Sequence, residues 1–380
     1  MQAIVVGAGP GGAMAALALA RAGATVHLVE KSAWPRDKTC GDGVSPLAIR
    51  EAAEVGASFA HGRELRRALI VTPGGIRFRG GWPTATPYGT IVERTAFDAA
   101  LVEAAIAAGV DFRPATAVRT IAADVAGLTA TLECGNRQSS LRTDVAIVAE
   151  GATGSLAGQL GFPAFRSRLV AIRGYATAPS VLTAEYGLFY DRSLSPGYGW
   201  IFPVDERRAN VGICVDEATL SRNGGDLRAA LASWLADNAF VREAFGPTPK
   251  LERVRGGIIP SGRARRVSGR VFLVGDAAGV ADPFTAEGIF EAMHSARIAA
   301  EALAREATID AAGVRYERDV RMFDRNALAA RTLRATFGIA IEPYARHAAR
   351  HPAFADRLAT GVFFPKGSFS RFLFDVHRGP

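Results

Sequence analysis

The chain has 380 residues, 49% apolar and 22% charged, which excludes a disordered or fibrous protein and allows two or three lobes around a large core. The net charge of +8 comes from scattered arginines with no basic run and no nucleic-acid motif, so a diphosphate-bearing ligand or an anionic lipid surface is expected and nucleic acid is not. Cys40, Cys134 and Cys214 have no paired spacing, no leader is recognised, and no run approaches the roughly 20 apolar residues of a membrane span, so a cytoplasmic protein is expected.

In chain order, Gln2 to Val6 reads as a strand, Gly7-Ala8-Gly9-Pro10-Gly11-Gly12 as a turn, Ala13 to Arg21 as a helix of small residues, and Thr25 to Val29 as a second strand ending at Glu30. This is a βαβ start with a glycine fingerprint in the correct context. Gly7 allows the tight turn, Gly9 lets the backbone approach a pyrophosphate, and Gly12, followed by Ala16, lets the helix lie close to the strand. The helix start offers free N–H groups and a positive dipole end to phosphates. The Glu30 carboxylate can accept from both hydroxyls of an adenosine ribose, and it repels the 2′-phosphate of NADP.

Residues 31–43 read as a loop, long enough to carry function. Pro46 to Val55 reads as a helix, Arg67 to Val71 and Ile76 to Arg79 as strands joined by Pro73-Gly74-Gly75, and Thr90 to Val92 as a short strand. Thr95 to Ala108 is a helix that ends at Gly109, and short strands follow at Asp111 to Phe112, Ala117 to Ala122 and Leu128 to Glu133. Val145 to Ala149 is a strand closed by Glu150-Gly151. Leu169 to Thr177, Ala184 to Tyr190, Gly199 to Pro203 and Asn210 to Val215 predict an antiparallel sheet, followed by an amphipathic helix from Leu227 to Asn238. Val271 to Val274 is a buried strand leading into Gly275-Asp276 and a helix from about Glu287 to Glu306. From Ile309 the chain is mostly helical and ends in a Phe-rich tail.

The stretch from Arg270 to Ala304 decides between dinucleotides. A nicotinamide enzyme needs only the first site, whereas the ribityl chain of FAD needs a second anchor. Gly275 admits that chain, Asp276 can bond its hydroxyls, and the helix starting at Gly288-Ile289 can face the pyrimidine edge of a flavin and favour its reduced anion. The expected fold is α/β (α+β): a Rossmann-type FAD-binding domain with an inserted antiparallel-sheet substrate domain and a helical C-terminal region. The FAD-binding parts are 1–65, 91–165 and 266–306, the substrate parts 66–90 and 166–265, and the helical region 307–380.

These motifs resemble those of FAD-dependent oxidoreductases of the para-hydroxybenzoate hydroxylase superfold, and within it the geranylgeranyl reductase family. The glycine turn with Glu30, Arg94, and the run from Gly275-Asp276-Ala277-Ala278-Gly279 to Glu287-Gly288-Ile289 are shared with that group. Two runs point to the reductase branch: Pro35-Arg36-Asp37-Lys38-Thr39-Cys40-Gly41-Asp42-Gly43, and Tyr198-Gly199-Trp200-Ile201-Phe202-Pro203 followed by Asn210-Val211-Gly212. The resemblance implies cofactor contacts from Gly7, Gly9, Pro10, Gly11, Gly12, Glu30, Lys31, Arg36, Cys40, Gly41, Gly43, Arg94, Val118, Asp276, Gly288 and Ile289. Arg94 then reaches the ribityl-pyrophosphate region, and the backbone near Val118 meets adenine. The superfold usually has Asp-Gly where this chain has Glu150-Gly151, which puts a direct pyrophosphate or NAD(P)H contact there in doubt.

Cys40 lies near Arg36 and Lys38, whose charges would lower a thiol pKa, so a reactive thiolate or proton donor stands beside a plain ring contact. Tyr198, Trp200 and Phe202 share one strand face, either lining an apolar substrate cavity or forming ordinary core. His347 and His351 are four apart, but no third ligand accompanies them and Pro352 follows, so no metal is expected. Phe363, Phe364, Phe369, Phe372 and Phe374 with Lys366, Arg371 and Arg378 could touch a lipid surface or pack on the domain.

The expected reaction is reduction of a C=C bond in a hydrophobic, isoprenoid substrate. Flavin reduced by NAD(P)H or a small electron carrier gives hydride to one carbon while a proton reaches the other, from Cys40 or water. The rivals are a flavin monooxygenase acting on an aromatic or quinone-like molecule, a halogenase, and a non-catalytic prenyl-lipid carrier. The halogenase is weakened because Tyr198-x-Trp200-x-Phe202-Pro203 departs from Trp-x-Trp-x-Ile-Pro. No feature sets an oligomeric state.

Overall fold

The computed structural model describes residues 1–58, 62–81, 89–222 and 224–363. A six-stranded sheet runs in the order Val267–Ser268, Val271–Leu273, Val145–Val148, Gln2–Val6, Thr25–Val29, Asp111–Arg113. Every neighbouring pair is parallel except the first. Val145–Val148 and Val271–Leu273 are buried along their whole length, the signature of a parallel sheet covered on both faces. Segments far apart in sequence thus meet side by side, which brings the Gly7 turn and the Gly275 turn to the same sheet edge.

The first helix is Pro10–Arg21 and not Ala13 to Arg21. Proline suits a first turn because its missing N–H would have no helical partner there. This helix packs on Ile289–Arg305 and Arg94–Ala107. The approach depends on Gly12, where an added Cβ would lie 1.7 Å from the Gly7 carbonyl oxygen.

The second large sheet has seven strands, ordered Glu252–Ser261, Ser167–Thr177, Arg208–Asp216, Tyr198–Pro203, Tyr186–Phe189, Arg67–Val71, Arg77–Gly81. It is antiparallel as expected, except that Tyr186–Phe189 pairs parallel with Arg67–Val71. Those two strands are distant in the chain, so no hairpin sets their direction. Side-chain alternation divides the sheet into two faces. Ile172, Val211 and Ile213 pack on one side against Leu231 and Trp234 of Leu227–Asp237. Tyr198, Trp200, Leu188 and Cys214 lie on the other, in a cluster with Phe354 and Ala355.

Two three-stranded sheets complete the β structure. One is Arg137–Thr143, Gly127–Cys134, Ala117–Asp124; the other is Gly43–Val44, Gly89–Ile91, Arg63–Leu65. The helices Ile309–Arg350 and Pro352–Phe363 follow. Tyr316 ties the long one to the first sheet by donating to the Leu273 carbonyl at 2.6 Å. Of the tail residues named above, those from Phe364 onward, and the side chain of Phe363, lie outside the described residues. Among the described residues no helix is long and apolar enough to cross a membrane.

A Gly12→Val substitution must push the first helix off its strand. We expect it to lower stability by about 1–3 kcal/mol, the usual range for overpacking, measured by equilibrium denaturant unfolding against the unsubstituted protein.

Candidate active site

One cavity lies between the two large sheets. The Gly9-Pro10-Gly11 turn, Cys40, Gly41 and Gly43, Arg94, Gly275-Asp276 and Gly288-Ile289 form one side of it. Tyr186, Leu188, Tyr190, Tyr198, Trp200 and Phe202 form the other. The aromatic stripe therefore lines the cavity while packing into the sheet core. Its rings touch in series, with centroids 5.7 Å apart for Tyr190–Tyr198, 6.2 Å for Tyr198–Trp200 and 6.1 Å for Trp200–Phe202. The loop lies directly on this wall: a Cβ at Gly41 would sit 3.4 Å from both Phe202 and Trp200 Nε1.

A chain of alternating charges runs behind the first side. Glu30, nearly fully buried, accepts from the Ala8 N–H and Ser32 N–H at 3.0 Å each and from Arg36 Nε at 3.3 Å. Arg36 donates onward to Asp98 at 2.8 Å, and Asp98 takes Arg94 Nε and Nη2 at 2.8 and 2.7 Å. Burial works against the Arg94 charge, but Asp98 and Cys40 outweigh it and hold the guanidinium pKa above its ordinary value. Arg94 thus opens a helix against the dipole because its partners lie on its own next turn and at Cys40.

The Cys40 expectation needs correcting. Arg36 is engaged by Glu30 and Asp98, and Lys38 by Asp276 at 2.9 Å. The cation beside Cys40 is Arg94, and burial outweighs it, raising the thiol above its ordinary value. The shift runs opposite to the one that Arg36 and Lys38 were expected to produce.

The loop is held by Asp42 and Asn210, which lie within the motifs but carry no role of their own there. Asp42 is wholly buried at φ +61°. Its Oδ2 accepts from the Tyr175 hydroxyl at 2.5 Å and from Asn210 Nδ2 at 2.8 Å, while Oδ1 has no partner. Burial pushes its carboxyl up to about 6, against those hydrogen bonds and the charges of Arg173 and Arg94. Asn210 Nδ2 also donates to the Cys40 carbonyl at 2.9 Å, and Trp200 Nε1 donates to Asn210 Oδ1 at 2.9 Å. The available signals were a carboxylate between Gly41 and Gly43 and the Asn210-Val211-Gly212 run.

The remaining predicted residues fall into place around this frame. Gly7 and Gly12 shape the turn and lie outside the cavity lining. Lys31 is exposed. Val118 lies on the half-buried start of Ala117–Asp124, just past Thr116, whose N–H donates to the Glu30 carbonyl at 2.9 Å. Glu150 accepts from the Leu156 and Ala157 N–H groups at 2.9 and 2.7 Å, so both its oxygens serve a helix start. The His347 and His351 rings stack 4.1 Å apart beside Phe354.

This geometry fits an elongated dinucleotide with a flavin at one end. Pro10–Arg21 and Ile289–Arg305 both begin without a side-chain cap, and both starts line the cavity. Uncapped starts leave N–H groups free for a phosphate at one point and a ring carbonyl at the other. Asp276 lies between them, with Oδ1 3.5 Å from where a Gly288 Cβ would be.

Fold and site together define a flavoprotein oxidoreductase. Residues 1–318 match the family described as FAD binding domain. A menaquinone reductase from Mycolicibacterium smegmatis is 33% identical over 78% of this chain and 75% of its own length. A digeranylgeranylglycerophospholipid reductase from Methanosarcina acetivorans is 31% identical over 79% and 74%. The geranylgeranyl bacteriochlorophyll reductase-like protein from Thermoplasma acidophilum shares the fold, with TM-score 0.82 over 99% of this chain and 98% of that one at 21% identity. The chain therefore belongs to the FAD-binding oxidoreductases, in their geranylgeranyl reductase branch. Its cofactor is FAD.

Asp42 makes stability depend on pH in a defined direction. Its native carboxyl, at about 6 against an ordinary 3.8, binds the proton more tightly than the unfolded chain does. Its contribution is full below about pH 4 and is lost as pH rises to about 6. The stability difference between the protein and Asp42→Asn should change by about 3 kcal/mol across that window, read by denaturant unfolding at each pH.

Proposed function

We propose that this protein uses reduced FAD to reduce C=C bonds in the isoprenoid chain of a hydrophobic lipid or quinone, with NAD(P)H or a small electron carrier as reductant. One observation carries the reading: the wall facing the cofactor side is a continuous apolar surface of Tyr186, Leu188, Tyr190, Tyr198, Trp200 and Phe202. The menaquinone and digeranylgeranylglycerophospholipid named for the two relatives are both isoprenoid-bearing lipids, which supports the same substrate class.

Bound FAD supplies two electrons. The protein's own residues do the rest. Gly9, Gly11 and the Pro10 helix start hold the pyrophosphate, Glu30 the adenosine ribose, Asp276 the ribityl chain, and Gly288-Ile289 the ring. The aromatic wall presses an alkene against that ring and excludes water. An isolated alkene is a poor acceptor, so most of the acceleration comes from this positioning in a dry site. A bilayer-resident substrate also favours peripheral contact with a membrane surface, which the net charge of +8 would promote on anionic lipid.

Purified protein, reduced anaerobically with dithionite, should be reoxidised by prenyl diphosphates or prenylated quinones, and the product should gain two hydrogens per bond by mass. Reoxidation that requires oxygen, with a product heavier by one oxygen atom, would sink the reductase reading in favour of a monooxygenase.

A further inference from the structure

We propose that Glu287 is the acid that delivers the proton to the second carbon of the double bond. The inference rests on the reductase reading and names a residue that reading leaves open.

Glu287 lines the cavity with Ser45, Tyr186 and Phe202, immediately before the Gly288 helix start. Its backbone is fixed by a closed turn. Asp282 Oδ1 accepts from Phe284 N at 2.8 Å, Thr285 N at 2.7 Å and the Thr285 hydroxyl at 3.1 Å. Asp282 N donates to the Glu287 carbonyl at 2.9 Å, and Glu287 N donates to Thr285 Oγ1 at 3.2 Å. Ala286 is held at φ +60°, a conformation that a residue with a Cβ adopts only when its surroundings impose it. The turn is thus strained to aim one side chain.

Glu287 Oε1 and Glu291 Oε2 are buried with no hydrogen-bond partner. Such an atom is expensive when the group is charged, and a buried carboxyl escapes that by keeping its proton. Ser45 lies in the same cavity lining as Glu287 and favours its charged form. The titratable groups facing the pair are Asp282 from the turn, Asp276 from the second cofactor anchor and the Tyr186 phenol from the opposite strand. Burial first, then Asp282, pushes Glu287 up to about 7 against the effect of Ser45. Burial, Glu287 and Asp282 push Glu291 well above the carboxyl range. A donor works best near ambient pH, and Cys40, raised above an ordinary 9.0, is the weaker acid.

The step balances. The π bond breaks, one carbon takes two electrons and a proton from the reduced flavin, and the other takes the Glu287 proton. Two C–H bonds form and oxidised flavin and a Glu287 carboxylate remain. The carboxylate is reprotonated from solvent, and the NAD(P)H-class donor reduces the flavin again.

Infrared difference spectra of oxidised holoprotein, without substrate, read the C=O stretch of protonated carboxyls. A band that vanishes as pH rises through about 7 and is missing in Glu287→Gln is expected. In anaerobic stopped flow, substrate reoxidation of the reduced protein should be flat at low pH and fall tenfold per pH unit above about 7. Glu287→Gln should be about 100-fold slower and lose that slope, with flavin content unchanged. Glu287→Asp, which keeps an acid, should restore part of both, and it carries the test if the glutamine variant does not hold flavin. Wild-type rate and slope in Glu287→Gln overturn the proposal, as does the absence of a titrating carboxyl band. If prenyl substrates fail to reoxidise the unsubstituted protein, the reductase reading falls and this step falls with it; the substrate-free band separates that failure from a failure of Glu287.

Discussion

The buried amide of Asn210 is the junction on which the cavity depends. Its Oδ1 takes the Trp200 indole N–H, and its Nδ2 serves both the Cys40 carbonyl and Asp42. An amide with no access to water must keep these bonds, because each one lost leaves a buried polar group unsatisfied at about 1–3 kcal/mol. One side chain thereby fixes the aromatic wall and the cofactor-side loop in a single geometry. Arg173 repeats the arrangement one strand away, donating to the Cys40 carbonyl at 3.2 Å, the Arg253 carbonyl at 2.6 Å and Asp37 at 2.9 Å. The separation between the two walls of the cavity is therefore set by hydrogen bonds between them rather than by either wall alone.

The charges behind the site obey a related constraint. Asp98 is fully buried and carries two arginines. Replacing such a group of charges by apolar residues can be harmless, but removing one member strands the others in low dielectric at about 3–5 kcal/mol. Glu30, Arg36, Asp98 and Arg94 thus stand or fall together. They link the turn beside Ala8 to Cys40.

Much of this was legible in the sequence where local rules suffice. The glycine turn, Glu30, the Gly275-Asp276 turn and the Gly288 helix start each announce a backbone geometry within a few residues. Glu252–Ser261 was missed because Gly256, Gly257 and Pro260 read as loop; it is an edge strand, bonded on one side only to Ser167–Thr177, where such residues are tolerated. Arg137–Thr143 was missed because it is almost wholly polar and exposed, with no apolar alternation to betray it. The cations beside Cys40 were misassigned for a different reason. Nearness in sequence suggested Arg36 and Lys38, but those side chains are drawn off to Glu30, Asp98 and Asp276, and the cation that arrives, Arg94, comes from another element. Asp42 and Asn210 matter through contacts spanning more than a hundred residues, which spacing alone cannot show.

The loop between Arg36 and Gly43 shows why composition misleads most at the site itself. It has no apolar period, yet its side chains alternate as an extended chain requires. Arg36 and Lys38 reach the nucleotide side, to Glu30 and Asp276. Asp37 and Thr39 reach the seven-stranded sheet, to Arg173 and the Gly256 carbonyl. Read in isolation it is a polar, glycine-rich connection of the kind expected to wander. Bonded on both flanks it becomes a seam between the two sheets, and the Lys38–Asp276 pair ties the Gly275-Asp276 turn to the same segment that Asn210 holds. A segment with partners on both sides cannot be ordered by its own preferences, so it was selected for charge and small size instead, and that is the composition a secondary-structure pattern reports as formless.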